Sequence, residues 1–231
     1  MTSTIRARLA ALASPLALAL AACADDPGAA PADAGPADAG PCGFASDRYL
    51  PFAPGHRWTY LVTDLESGER KVKDQALEAG ADGRVVQRTG KLAGSTRSVL
   101  TVDGDRVVRL QQEDLDTSGV VERTTRYAPG QIRIDESAAR LAPGASWEEV
   151  YDETIVDAGE PAVVVRNRDR WEVLAIDAAC AAPAGSFTCV HLRRTRLEGG
   201  VAVKEFWFAR GVGKVRERGD NVVEELQRCG G

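Results

Sequence analysis

Histidine, cysteine and carboxylate are the side chains with which this chain could do chemistry, and their spacing narrows the choice. His56 and His191 are its two imidazoles, far apart in sequence and without cysteine or acid at ligand spacing. That argues against histidine-based metal sites and Ser/His/Asp triads. No G-x-S-x-G, H-E-x-x-H or phosphate-cradling glycine loop occurs. Asp103-Gly104-Asp105 looks like a fragment of a calcium loop but lacks the remaining ligands, and between two β-prone runs Asp-Gly is first a hairpin turn. Glu148-Glu149 and Glu224-Glu225 are adjacent carboxylates, yet neighbours on a strand point to opposite faces and cannot share a site. A carboxylate-based hydrolase is therefore the least favoured function. The expectation is a non-enzymatic protein with no catalytic residue, cofactor or metal.

Cys23 stands apart from the other four cysteines. Residues 1–22 begin with Arg6 and Arg8, continue through the apolar Leu9 to Leu20, and end Leu20-Ala21-Ala22 before Cys23. This is a secretory signal, too short to span a bilayer stably. Its ending resembles the lipobox of bacterial lipoproteins, which implies that Cys23 is diacylated, palmitate being one of the chains, and becomes the new N-terminus. In such lipoproteins an Asp directly after the lipidated cysteine favours retention at the inner membrane. Ala24 holds that place here, so the outer membrane, facing the periplasm, is the expected location. Cleavage removes two arginines and no acid, taking the formal charge from −5 to −7. Nucleic acid and anionic lipid are then poor partners.

In an oxidising compartment Cys42, Cys180, Cys189 and Cys229 read as disulfides rather than metal ligands. A hairpin turning at Ala184-Gly185 sets Cys180 directly opposite Cys189, at a Cα separation of about 4.5–5.5 Å that a disulfide can bridge. Cys42 and Cys229 remain to join the two ends of the domain.

The elements that must carry these residues are strands. Residues 23–43 form an Ala/Pro/Asp/Gly-rich linker, with Pro-Ala-Asp-Ala-Gly written twice, and bury nothing. Residues 44–231 suit a single domain. Short β-prone runs recur there, with turn chemistry between them: Arg57 to Asp64, Ser98 to Val102, Arg106 to Gln112, Val120 to Tyr127, Trp147 to Val156, Ala162 to Ile176, Phe187 to Leu197, Val201 to Ala209 and Val222 to Gln227. Spacing this close leaves no room for crossover helices and predicts an all-β, antiparallel domain. Asp74 to Ala81 and Asp135 to Leu141 are the stretches where a helical turn is expected. Trp58, Tyr60 and Val62 alternate onto one face, as do Trp171, Val173 and Ala175. With a turn near Gly159, Arg166 and Arg170 face Asp152 and Glu148, so the Arg166/Arg168/Arg170 stripe reads as a self-neutralised outer face. Arg193, Arg194 and Arg196 read as solvated.

Three segments carry a further resemblance. Tyr49 to Tyr60 matches Y-x-P-(L/F)-x-x-G-x-x-W-x-Y, Phe206 to Val215 contains W-(F/Y)-A-x-G-V-G-x-V, and Ala182 to Phe187 holds P-A-G-(S/T)-F. The set resembles a group of bacterial lipoproteins with no assigned activity. The resemblance implies a single, strongly curved sheet, a half-barrel or open barrel similar to the lipoprotein-localisation factors.

Phe206-Trp207-Phe208 is apolar on both faces, so either a second layer packs over that strand or the curved sheet leaves an apolar pocket lined by Trp58, Tyr60, Phe206, Trp207 and Phe208. The expected function is a membrane-anchored envelope lipoprotein that binds an apolar ligand or a partner protein. A purely structural or assembly role is the alternative.

Overall fold

The computed structural model describes residues 42–91, 93–200 and 202–231. The signal, Cys23 and nearly all of the linker lie outside these residues. Cys42 and Gly43, assigned to the linker by composition, belong to the folded unit, and Cys42 is fully buried.

Twelve strands follow one another: β1 (Arg57–Asp64), β2 (Arg70–Ala79), β3 (Val85–Gly90), β4 (Ser95–Asp103), β5 (Arg106–Leu115), β6 (Val121–Asp135), β7 (Ser146–Asp157), β8 (Val163–Ala182), β9 (Gly185–Glu198), β10 (Ala202–Ala209), β11 (Gly213–Arg218) and β12 (Val222–Gly230). Each pairs antiparallel with its sequence neighbour, and β1 pairs with β12, so the sheet closes into a barrel. The sheet is antiparallel and all-β as expected, and its closure corrects the expected half-barrel or open barrel. Closure pairs the two strands that would otherwise be edges, which an open sheet leaves exposed to aggregation.

Hairpins built on glycine turns account for the order. Gly104 (φ +59°) turns β4 into β5 with Asp103 facing Arg106, and Gly159 (φ +83°) lies between β7 and β8. The β7–β8 register sets Glu148 opposite Arg170 and Asp152 opposite Arg166, and the ion pairs form at 3.1 and 3.8 Å on the outer face.

Of the two stretches where a helical turn was expected, Asp74 to Ala79 is instead part of β2, with one 3-10 turn at Ala81–Gly83 after it, whereas Asp135 to Leu141 leaves β6 and makes a single turn in which Arg140 and Leu141 N–H both donate to the Ser137 carbonyl. β2 hides from pattern reading because its amphipathicity is inverted. Val72 is 60% exposed on the outside, whereas Lys73 and Gln75 point into the barrel opposite Tyr60 and Trp58.

The interior is packed in two apolar clusters. One gathers Tyr49, Val107, Ile134, Trp147, Trp171, Leu192, Phe206 and Phe208. The other gathers Trp58, Tyr60, Leu77, Val85, Val215 and Leu226. Trp147 and Trp171 lie directly opposite on β7 and β8 and stack, and Phe206 stacks on Trp171 in turn. Burial of each Phe contributes about 2 kcal/mol. A bulge at Leu174 turns Ala175 away from the face of Trp171 and Val173, so that it sits opposite His191.

Candidate functional site

Residues 42–56 form a strap across one end of the barrel. Its backbone binds the β10–β11 turn through Phe44 N–H to Gly211 C=O and Gly211 N–H to Arg48 C=O. Tyr49 and Leu50 N–H then donate to the Glu136 carboxylate between β6 and β7, and Gly55 N–H donates to Leu77 of β2. Gly211 (φ +67°) is required at the crossing, since a Cβ there would lie 2.9 Å from the Ser46 carbonyl.

The three motifs of the resemblance meet at this end. Trp58 Nε1–H donates to the Val212 carbonyl at 2.6 Å, joining the first motif to the last. The middle motif is the tip of the β8–β9 hairpin. Bulges after Val173 and Ala175, with Asp177 at φ +54°, bend the hairpin, and Ala184 N–H reaches the Leu226 carbonyl of β12. It fills a gap, because β11 and β12 pair only from Arg216–Arg218 to Val223–Glu225. Cys42 pairs with Cys229 (Cα–Cα 5.0 Å) and Cys180 with Cys189 (6.1 Å). The second pair is diagonal, not directly opposed as its spacing suggested. The turn is Pro183-Ala184, which sets Cys189 against Ala178 and Cys180 against Phe187.

The five residues of the expected apolar pocket are divided. Trp58, Tyr60 and Phe208, with Leu50, Pro51 and Phe52 of the strap, surround a cavity of only about 30 Å³. That suits one or two waters, not an acyl chain. Phe206 is spent on the Trp171 stack. Trp207 faces outward, half-buried, stacked on His191 at 4.1 Å with the Arg216 guanidinium 5.4 Å from its ring centre. Its direct ladder partners, His191 of β9 and Arg216 of β11, cover it.

What the barrel encloses instead is charge. Lys214 lies on the inner face between Glu217 (2.5 Å) and Glu224 (2.6 Å), Lys204 binds Glu217 at 2.8 Å, and Lys73 binds Glu224. Lys214 and Lys73 also stand over the Tyr60 ring. Burial is the largest influence and would raise Glu217 and Glu224, but Lys214 together with Lys204 at Glu217 and Lys73 at Glu224, and the hydrogen bonds the lysines donate, outweigh it and hold both below the usual carboxylate range. The same acids overcome burial at Lys214 and push it up. Burial and the neighbouring Lys214 take Lys73 down to about 8.

A second network surrounds Glu149 and Asp169, directly opposed on β7 and β8. After the Ala128-Pro129 peptide β6 no longer pairs with β7, and the Glu149 carboxylate takes over from the ladder. It accepts Ile132 N–H (2.5 Å) and Trp171 Nε1–H (3.0 Å). Asp169, fully buried, accepts Arg196 Nε–H (3.3 Å) and Tyr151 O–H (3.0 Å). Arg194 and Arg196 thus face the interior rather than solvent, while Arg193 lies outside on Glu205. Sequence reasoning missed both networks. The available signal was acid at period two among aromatics, as in Trp147-Glu149-Tyr151-Glu153.

Burial, against the pull of its two hydrogen bonds, raises Glu149 from the usual 4.5 to about 7. The folded state therefore holds a proton that the unfolded chain releases near 4.5. This contribution to stability is complete below pH 4.5 and disappears as pH rises through 7, a loss of about 3 kcal/mol. Urea midpoints measured from pH 5 to 8 are expected to fall on this account, and Glu149→Gln is expected to flatten the slope. An unchanged slope in the variant would assign it to another group.

Fold and site define a strapped, disulfide-tied, twelve-stranded antiparallel barrel with a charged interior. Among solved structures the chain is similar to a Bacteroides fragilis protein described as a candidate exported protein with a YmcC-like fold, with a TM-score of 0.52 and 13% identity over 82% of this chain and 100% of that one. At that identity the likeness is one of fold. No protein-family model matches the chain, and no curated protein matches it.

Proposed function

We propose that this protein is a membrane-anchored, non-enzymatic envelope lipoprotein. A diacylated Cys23 holds it at the membrane, and the Ala/Pro/Asp/Gly-rich stretch lets the barrel stand clear of the surface. The observation that carries this reading is the barrel's flank. Outward positions bear ion pairs: Arg88–Glu78, Arg97–Glu113, Arg170–Glu148 and Arg193–Glu205. A barrel that spans a bilayer needs the reverse, an outward apolar band about 25 Å tall. Attachment then falls to lipid, and because one acyl chain binds only marginally, the two or three of a lipidated cysteine suit the task.

Ala24 after the lipidated cysteine favours the outer membrane, facing the periplasm, and the description of the Bacteroides fragilis protein as a candidate for export is in keeping with an envelope location. The non-enzymatic reading is supported at Glu149 and Asp169, a facing pair of interior carboxylates. All four of their oxygens accept hydrogen bonds within the barrel wall, and none is offered to a substrate. The cavity beneath the strap, about 30 Å³ and lined by Gln75, Gln87, Arg133 and Lys214 as well as by apolar side chains, favours an assembly or structural role over carriage of an acyl chain.

The test is fractionation of cells expressing the full chain. Wild type is expected in the membrane pellet with a lipidated N-terminal peptide in its mass spectrum, and Cys23→Ser is expected in the soluble fraction. A serine variant that pellets like wild type, or a mature N-terminus that begins elsewhere, would defeat the proposal.

A further inference from the structure

A cavity of about 630 Å³ lies on the outer face of the barrel and shares no residue with the two interior charge networks. It is a trench that crosses neighbouring strands from β12 over β1, β2 and β3 to Ser95 of β4. Two rows of outward positions frame it. In one, Arg57 lies opposite Gly230 of β12 and Ala76 of β2, and Ala76 lies opposite Arg88 of β3. In the other, Thr59 lies opposite Arg228 of β12 and Asp74 of β2.

The trench exists because Gly230, Ala76 and Gly90 put little or no side chain between longer ones, so that strand backbone forms its floor. Gly90 and Gly230 have φ outside the left-handed region, and a Cβ on either would meet no atom closer than 3.9 Å. Neither backbone conformation nor packing within the chain therefore calls for glycine at these positions. What glycine preserves is the open floor, as where a ligand approaches a strand closely.

The charges around the floor are unbalanced. Arg228 donates Nε–H to Thr59 Oγ1 at 3.1 Å, and the Thr59 hydroxyl, 7% exposed, donates to Asp74 at 2.6 Å. Thr59 thus fixes Arg228 and occupies Asp74, the one acidic side chain on the trench. Arg88 is held by Glu78. Arg57 and the two terminal nitrogens of Arg228 have no carboxylate within ion-pair distance among the described residues. Arg57 and Arg228 stand on diagonal positions of β1 and β12, near enough for both guanidiniums to reach one group. Two like charges so placed repel, and a doubly charged oxyanion between them replaces that repulsion with forked, charge-assisted hydrogen bonds. A phosphate group fills the space of a few waters of roughly 30 Å³ each, so most of the trench is left for the molecule that carries it. The peptide groups of the floor and the Ser95 hydroxyl suit a polar body.

We propose that this trench binds a small, polar phosphate monoester, its dianionic phosphate held between Arg57 and Arg228. The site goes beyond the envelope role proposed above and does not depend on it.

Calorimetric titration of the purified protein with glycerol 3-phosphate and with glucose 6-phosphate tests the site. At least one of the two is expected to bind saturably at a single site, more weakly as salt is raised, and more tightly than inorganic phosphate. Arg57→Gln and Arg228→Gln, both at exposed positions, are expected to melt as wild type and to weaken binding at least tenfold. Ala76→Leu, which fills the floor and leaves the charges in place, is expected to weaken it as well, whereas Arg166→Gln on the outer face of β8 keeps it. Should Ala76→Leu melt lower than wild type, the two arginine variants decide alone. No saturable binding of either ester, binding that survives in both arginine variants, or inorganic phosphate bound as tightly as the esters overturns the proposal.

Discussion

Lys214→Met is expected to destabilise the barrel by about 3–5 kcal/mol at pH 7, because it leaves two buried carboxylates short of a partner. Lys214 is the shared cation of Glu217 and Glu224, and its side chain is 9% exposed. After the substitution Glu217 keeps Lys204 and Glu224 keeps Lys73, each with one cation where it had two. The pH dependence distinguishes this loss from a packing defect. In wild type both acids are held below their ordinary range, so their contribution is present above pH 4.5 and is lost as pH falls through the lowered values. In the variant the acids protonate more easily, and the deficit against wild type should shrink as pH falls from 5 towards 3. Urea unfolding followed by tryptophan fluorescence at pH 7 and pH 4 gives the comparison. A deficit equal at both values would mean that Lys214 acts through its aliphatic stem over Tyr60.

Removing the Cys42–Cys229 bridge is the other large effect. The bridge spans 187 residues, and chain entropy assigns it about 5 kcal/mol. The Cys180–Cys189 bridge spans nine, and the same reasoning gives about 2.5 kcal/mol. Paired serine substitutions are expected to rank in that order by urea midpoint. The terminal pair has a second consequence, since it ties the start of the strap to the end of β12. Without it, protease cleavage near Gly43 and Phe44 should precede cleavage within the barrel. If the short bridge proved the costlier, then locking the hairpin tip in the gap between β11 and β12 would outweigh chain entropy.

Local chemistry was enough to read much of this molecule. Strand class, most strand positions, the Gly104 and Gly159 turns and the Glu148–Arg170 and Asp152–Arg166 facing pairs follow from alternation and turn residues, which act within a few positions. The opposite faces of Glu148 and Glu149, and of Glu224 and Glu225, follow from the pleat alone: Glu148 meets Arg170 outside and Glu149 meets Trp171 inside, while Glu225 lies by Arg216 and Glu224 by Lys214. Three things depended on strands distant in sequence. Closure needs β1 to find β12 across the whole domain. The outward face of Trp207 and the one-residue shift of the β8–β9 turn depend on what a bent hairpin covers and on where its bulges fall. Which face of β2, β6 and β11 is inside is invisible to a rule that sends apolar residues inward, because a barrel wide enough to enclose charge sends Lys73, Arg133 and Lys214 there instead. The acids that meet Lys73 and Lys214 come from β11 and β12, and a charge placed inward on one strand acquires its physical sense only when the strand that neutralises it has closed around it.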